Sequence, residues 1–70
     1  VCGPIGIAVD KKNNLYIANY DSNEILKITP TGIISVIIKN IKKPYYLYID
    51  NFDVLYISEQ STNTVINMKL

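Results

Sequence analysis

The side chains best suited to chemistry in this sequence are carboxylates, because its 70 residues include six acidic residues and no histidine. Asp10 and Asp50 each follow a short apolar segment, and the two segments are equivalent to one another. A carboxylate at such a position can bind a cation together with other oxygen ligands. It can also accept hydrogen bonds from the backbone of a turn. Because the residue recurs in the same context, we favour the turn-capping interpretation.

A second set of candidates lies in two loops at near-equivalent positions. Asp21 and Glu59, together with Asn19, could contribute to a metal or substrate site, since carboxylate and amide oxygens bind hard cations. The sequence has no nucleophile–base pair and no zinc-ligand spacing. We therefore expect this segment alone to provide no catalytic residue, no metal ligand set and no cofactor site.

A third set combines lysine with aromatic rings. Lys39, Lys42 and Lys43 precede Tyr45, and such an arrangement can follow a nucleic-acid backbone and stack bases. However, the net charge is only +1 and the sequence has no arginine, whereas nucleic-acid binders concentrate basic residues on one face. A protein partner is therefore favoured, RNA is the alternative, and no membrane partner is expected. The candidate binding residues are Tyr20, Asp21, Lys42, Lys43, Tyr45 and Glu59.

The elements that position these residues are repeated. Residues 4–30 align with residues 44–70 without a gap, and several proline, aspartate, leucine, tyrosine and asparagine positions are identical. A period of about 40 residues built from short strands is the signature of a propeller or array. We predict an all-β fold made of antiparallel four-stranded β-propeller blades, which form a partial propeller of about two blades. No segment has helical periodicity, so no α-helix is expected.

We predict a first blade over residues 1–43 and a second, incomplete blade over residues 44–70. Strands of the first blade are expected at about 5–9, 15–18, 24–28 and 33–38. Those of the second are expected at about 46–49, 54–58 and 64–68. Several strands are apolar on both faces, which is typical of a sheet stacked between two others.

Turn residues between the strands carry conformational predictions. Pro30 and Gly32 indicate a turn that ends in a positive φ angle at Gly32. Asn23 and Asn63 occupy equivalent loops, where asparagine tolerates the left-handed region or bonds its own backbone.

The repeated residues resemble the NHL repeat, the blade unit of a family of β-propellers. The resemblance covers essentially the whole chain and is weaker in the second copy. It implies that the first strand of each blade lies near the propeller axis. It also implies that the loops at 19–23 and 59–63 open on the same face as the crossover at 40–45, and the turns at 10–14 and 29–32 on the other. The residues that carry the resemblance are Pro4, Gly6 to Asp10, Leu15 to Ala18, Asn23, Ile25, Lys27, Ile28, Pro30 and Gly32.

The resemblance implies two classes of function. Some propellers of this family bind RNA, and related propellers with lactonase, arylesterase or amidating-lyase activity hold metals with carboxylates, asparagine or histidine. We favour a non-catalytic scaffold that binds a protein, or RNA, through its loops. The alternative is a fragment of a metal-dependent hydrolase or lyase propeller, whose catalytic residues would come from other blades.

The second copy has Tyr46 and Tyr48 where the first has Gly6 and Ala8. We interpret these tyrosines as filling space against a neighbouring blade, with a platform for a ligand as the alternative. Two blades alone would leave apolar faces of several hundred Å² uncovered. Covering such a face is worth on the order of 10 kcal/mol. We therefore expect further blades, either in the same longer chain or by association of several copies.

Overall fold

The computed structural model describes residues 4–19, 22–59 and 63–70, and the side chains of all of them except residues 4 and 5. These residues form no helix, and so none that is long and apolar enough to cross a membrane. They form seven strands, and the expectation of an all-β chain is confirmed. The strands are β1 (Pro4–Val9), β2 (Leu15–Asn19), β3 (Glu24–Ile28), β4 (Ile34–Ile38), β5 (Pro44–Ile49), β6 (Val54–Glu59) and β7 (Thr64–Lys69).

The strands form two antiparallel meanders, one in the order β1-β2-β3-β4 and one in the order β5-β6-β7. Equivalent residues, 40 positions apart, are paired in the same way in the two sheets. Pro4 pairs with Asn19 in the first sheet and Pro44 pairs with Glu59 in the second, and an irregularity follows each proline. The repeat in the sequence is therefore a repeat of strand pairing as well.

Three strand starts differ from the predicted ones: β1 begins at Pro4, one residue before the predicted start at 5, and β4 and β5 differ for local reasons. β5 begins at Pro44, two residues before the predicted start at 46, because Pro44 lies on an edge strand where its missing N–H group is not needed for pairing. β4 begins at Ile34 because the carbonyl group of Ile33 accepts a hydrogen bond from the backbone of Thr29 at 3.0 Å within the preceding turn. Gly32 in that turn has φ 90°, which confirms the predicted positive angle.

Alternation along the strands gives each sheet two different faces. We call one the aliphatic face. In the first sheet it comprises Ile7, Val9, Leu15, Ile17, Leu26 and Ile28, and in the second Leu47, Ile49, Leu55, Ile57, Ile66 and Met68. We call the other the tyrosine face. In the first sheet it comprises Gly6, Ala8, Tyr16, Ala18, Ile25 and Lys27, and in the second Tyr46, Tyr48, Tyr56, Ser58, Val65 and Asn67.

The core lies where the tyrosine face of the first sheet packs on the aliphatic face of the second. Ala18 and Ile25 from one side and Leu55 and Ile57 from the other are fully buried. Ile41, in the connection between the sheets, closes one end of this cluster. The two sheets are thus stacked in the same orientation. A tyrosine face packs on an aliphatic face, and two equivalent faces do not pack on each other.

The other two faces remain exposed along their edge strands in this chain. On the aliphatic face of the first sheet, Ile7 is 61% and Val9 56% exposed, and Ile34 of β4 continues this surface at 63%. On the tyrosine face of the second sheet, Tyr46 is 63% and Tyr48 57% exposed. The molecule therefore carries one uncovered face of each kind.

Candidate functional site

The carboxylate of Asp10 closes the turn between β1 and β2. Its Oδ1 accepts hydrogen bonds from the backbone N–H groups of Lys12 at 2.8 Å and Asn14 at 2.9 Å. Its Oδ2 accepts from the Asn14 side chain at 3.0 Å and from the Tyr16 hydroxyl group at 2.9 Å. Both oxygens are thus engaged in capping, as the turn-capping interpretation predicts.

Asp50 repeats this arrangement in the second sheet. Its Oδ1 accepts from the backbone of Phe52 at 2.8 Å and of Val54 at 3.0 Å, and its Oδ2 accepts from the hydroxyl group of Tyr56 at 3.0 Å. The tyrosine six residues after each aspartate therefore belongs to the turn as well as to the sheet. Sequence reasoning identified the aspartates but not their tyrosine partners.

Hydrogen bonding sets the ionisation of these groups. Burial alone would raise the pKa of Asp10, but the donors of Asn14, Tyr16 and Lys12 lower it from 3.8 to about 2. The backbone N–H of Val54 is the main cause of the lowered pKa of Asp50. Burial, and then the bond to Asp10, raise the pKa of Tyr16 to about 12. Both carboxylates are therefore charged and Tyr16 is protonated at neutral pH, a pattern typical of a structural cap.

The opposite end of the sheets carries most of the predicted binding residues. We call residues 39–43, which connect β4 to β5, the crossover segment. Asn23 holds this segment through two bonds: its carbonyl accepts from the backbone of Ile41 at 3.1 Å, and its Oδ1 accepts from the backbone of Lys43 at 3.0 Å. Glu59 Oε2 accepts from the backbone of Lys42 at 2.9 Å. The crossover segment is thus tied to loops of both sheets.

Four of the predicted residues lie at this end: the bonds hold Lys42, Lys43 and Glu59, and Tyr45 lines a pocket together with Glu59. The side chain of Lys42 is exposed and Tyr45 is 46% exposed. Lys43 is half-buried and has φ 53°, so its backbone has a structural role that its charge did not indicate. The other two candidates, Tyr20 and Asp21, lie outside the described residues.

A surface pocket of about 390 Å³ adjoins this group. Its walls come from the start of β5, the end of β6 and the start of β7. Glu59 and Tyr45 face it together with Ser58, so one carboxylate, one phenol ring and one hydroxyl group share the space. The lining residues are Tyr45, Ser58, Glu59, Asn63, Thr64 and Val65.

The metal site considered for Asp21, Glu59 and Asn19 stays a prediction, because Asp21 lies outside the described residues. No group of three or more histidine, cysteine, aspartate or glutamate residues among them could hold a metal ion. Glu59 instead accepts a bond from the crossover segment. Oδ1 of Asn19 is buried without a hydrogen-bond partner in the described structure.

A second pocket, of about 240 Å³, lies at the other end beside the Asp10 turn. Lys27 interrupts the apolar pattern of β3 and reaches this pocket, where Asp53 and Tyr16 also contribute. Lys11 bridges the two sheets there, since its Nζ donates to the carbonyl group of Asn51 at 2.7 Å. In the sequence this pocket is indicated by Asp10, which also lines it, and by the single lysine within an apolar strand.

Stacked antiparallel meanders with repeated register are blades of a β-propeller, and solved structures confirm this class. The chain is similar to selenomethionine-substituted virginiamycin B lyase from Staphylococcus aureus, with a TM-score of 0.73 and 22% sequence identity. It is equally similar, at 0.73 and 22%, to a catalytically inactive histidine-to-alanine variant of that lyase with quinupristin. Residues 1–28, within the first sheet and the segment before it, match the family model of the NHL repeat, which agrees with the resemblance seen in the sequence.

The structural similarity covers different shares of this chain and of the lyase chain. The similarity covers 97% of this chain but only 27% of the lyase chain, so the 70 residues correspond to a fraction of that propeller. No curated protein matches the chain. At this level of identity the likeness establishes the fold of the segment.

Proposed function

We propose that this chain is a non-catalytic segment of an NHL-type β-propeller that presents its crossover end to a protein partner. The observation that supports the proposal is the set of hydrogen bonds that the backbone of the crossover segment donates to Asn23 and Glu59. These bonds fix the backbone, while the side chains of Lys42 and Tyr45 remain exposed. A fixed backbone with exposed lysine and tyrosine suits recognition, because little ordering entropy is lost on binding.

The charge at this end favours a protein over RNA. Lys39, Lys42 and Lys43 are accompanied by Glu24 and Glu59, so both signs of charge share the surface. RNA binding relies on a predominantly basic surface that neutralises phosphates. A mixed surface is instead typical of the polar rim of a protein interface.

The second candidate function is a structural part of a lyase-type propeller. The similar structures are of virginiamycin B lyase, and replacing one histidine of that enzyme by alanine inactivates it. This chain contains no histidine. In a propeller of that type the present segment would therefore contribute blades to the framework, and the catalytic histidine would come from elsewhere.

The test compares matched charge reversals at the two ends of the blades. Lys42→Glu changes the crossover end, and Lys12→Glu changes an exposed lysine at the other end. Proteins cross-linked to each variant in cells are quantified by mass spectrometry, with and without ribonuclease treatment. We expect a partner that is retained by Lys12→Glu, lost with Lys42→Glu, and insensitive to ribonuclease.

Three results would contradict the proposal. Capture that is equal for the two variants would remove the crossover end from the interface. Loss of the partner after ribonuclease treatment would favour RNA. Conversion of quinupristin by the purified chain, followed by mass spectrometry, would show that the chain is itself catalytic and would contradict a non-catalytic role.

A further inference from the structure

The two stacked sheets show how one blade covers the next. The aliphatic face of the second sheet is covered by the tyrosine face of the first, and Leu55 and Ile57 become fully buried. The equivalent residues on the aliphatic face of the first sheet are Leu15 and Ile17. Ile17 is already buried, at 8% exposure, whereas Ile7 and Val9 on the edge strand β1 of that face are more than half exposed. The same kind of cover would therefore bury Ile7 and Val9.

The close contact between the sheets depends on the absence of a side chain at Gly6. A Cβ atom at Gly6 would lie 2.8 Å from the carbonyl oxygen of Tyr45, 3.0 Å from the backbone nitrogen of Leu47 and 3.1 Å from Cα of Tyr46. All three atoms belong to the backbone. The restriction therefore applies to any blade that packs in this way, whatever its side chains are.

The second sheet does not meet this requirement on its own tyrosine face. Tyr46 stands at the position of Gly6 and Tyr48 at the position of Ala8, as the shared register shows. The Cβ atom of Tyr46 would meet the backbone of an incoming inner strand at the distances found for Gly6. A second copy of this chain is thus excluded from covering the first sheet with the observed packing.

We propose that the aliphatic face of the first sheet is a docking surface for a blade of different sequence. That blade carries glycine and a second small residue at the positions of Gly6 and Ala8. The partner is an antiparallel meander of this kind, in the same polypeptide or another, and self-association of identical copies through this contact does not occur. Tyr46 and Tyr48 determine this selectivity, since they change the shape of the face that a second copy would offer.

The test mixes the wild-type chain with a carrier chain whose own aliphatic face is blocked, so that only one pair of faces can form the contact. The carrier chain has Val9→Lys, which blocks its own aliphatic face at an exposed position, together with Tyr46→Gly and Tyr48→Ala. The matched control carries Val9→Lys alone. Each is mixed with the wild-type chain, and 1:1 complexes are measured by native mass spectrometry and sedimentation, with circular dichroism to verify strand content. We expect the carrier to bind the wild-type chain at least about tenfold more tightly than the control does.

A second carrier distinguishes the backbone contact from a general effect of removing tyrosine. It has Tyr46→Ala in place of Tyr46→Gly and so retains the Cβ atom. We expect its affinity for the wild-type chain to fall back towards that of the control. Equal binding by the glycine and alanine carriers, no complex with a folded glycine carrier, or equally tight binding by the control would each overturn the proposal.

Discussion

The hydroxyl group of Tyr16 donates a hydrogen bond to Oδ2 of Asp10 at 2.9 Å, and the residues are six positions apart across the first turn. Tyr16 is 2% exposed, so this bond joins the core between the sheets to the turn at their end. The equivalent bond between Tyr56 and Asp50 lies on the uncovered face of the second sheet. The same motif thus contains a buried tyrosine in the first sheet and a half-buried tyrosine in the second.

This difference predicts unequal effects of removing the hydroxyl group. Tyr16→Phe should lower the free energy of unfolding by about 1–2 kcal/mol, because a bond from a buried tyrosine to a charged acceptor is lost. Tyr56→Phe is the matched control and should cost less, since water can replace its hydroxyl group. Urea unfolding of both variants measures the two effects. Equal losses would show that burial does not set the strength of this bond.

The lowered pKa of Asp10 predicts acid sensitivity. Its pKa is 3.8 ordinarily and about 2 in the folded chain, so the folded state binds the proton more weakly than the unfolded state. The resulting stabilisation is present above pH 4 and is lost as the pH falls towards 2. Urea midpoints between these limits should decrease steeply in the wild-type chain and less in Asp10→Asn, which has no proton to gain. Parallel curves for the two proteins would contradict the assignment.

Substitution of Gly6 tests whether the two sheets must approach each other closely within the chain. Gly6→Ala should destabilise the fold by about 1–3 kcal/mol, since the added methyl group meets backbone that cannot move aside alone. Ile7→Ala, at the next position but on the exposed face, serves as the comparison and should have a smaller effect. Thermal unfolding monitored by circular dichroism measures both. A neutral Gly6→Ala would mean that the sheets separate without cost.

Gly32 provides a case in which conformation alone matters. A Cβ atom at Gly32 would have no heavy atom within 4 Å, but the residue has φ 90°. Gly32→Val should therefore destabilise by roughly 1 kcal/mol or more through backbone strain. Gly32→Asn should cost less, because asparagine tolerates positive φ angles. Equal unfolding midpoints for these two variants would contradict the strain argument.

Asn23 tests the anchoring of the crossover segment. Asn23→Ala removes the acceptor for the backbone of Lys43 and should destabilise by about 1–2 kcal/mol. Asn63→Ala is the matched control, because Asn63 has a similar left-handed angle, φ 53° against 58°, at the equivalent position. Hydrogen exchange of the Lys43 amide should accelerate only in Asn23→Ala. Unchanged exchange there would show that other contacts hold the segment.

Most of the fold could be predicted from the sequence because its determinants are local and repeated. Alternating apolar residues indicated the strands, and Asp10 and Asn23 indicated turn geometry within a few residues. The positive φ angle of Lys43 could not be predicted, since lysine has no preference for that region and the angle is maintained by a hydrogen bond that its N–H donates to Asn23, 20 residues away. The role of Glu59 likewise depends on a residue 17 positions earlier in the chain.

Because equivalent residues are paired in the same way in the two sheets, the chain allows the same position to be compared with and without a covering blade. Ile7 and Leu47 are equivalent positions with apolar side chains, yet the first is 61% exposed and the second 4%. Truncating each to alanine therefore compares an uncovered with a covered copy of one environment. When another blade docks on the first sheet, the loss of unfolding free energy in Ile7→Ala should rise towards that in Leu47→Ala. The difference between the two losses then measures how completely the next blade covers the first sheet.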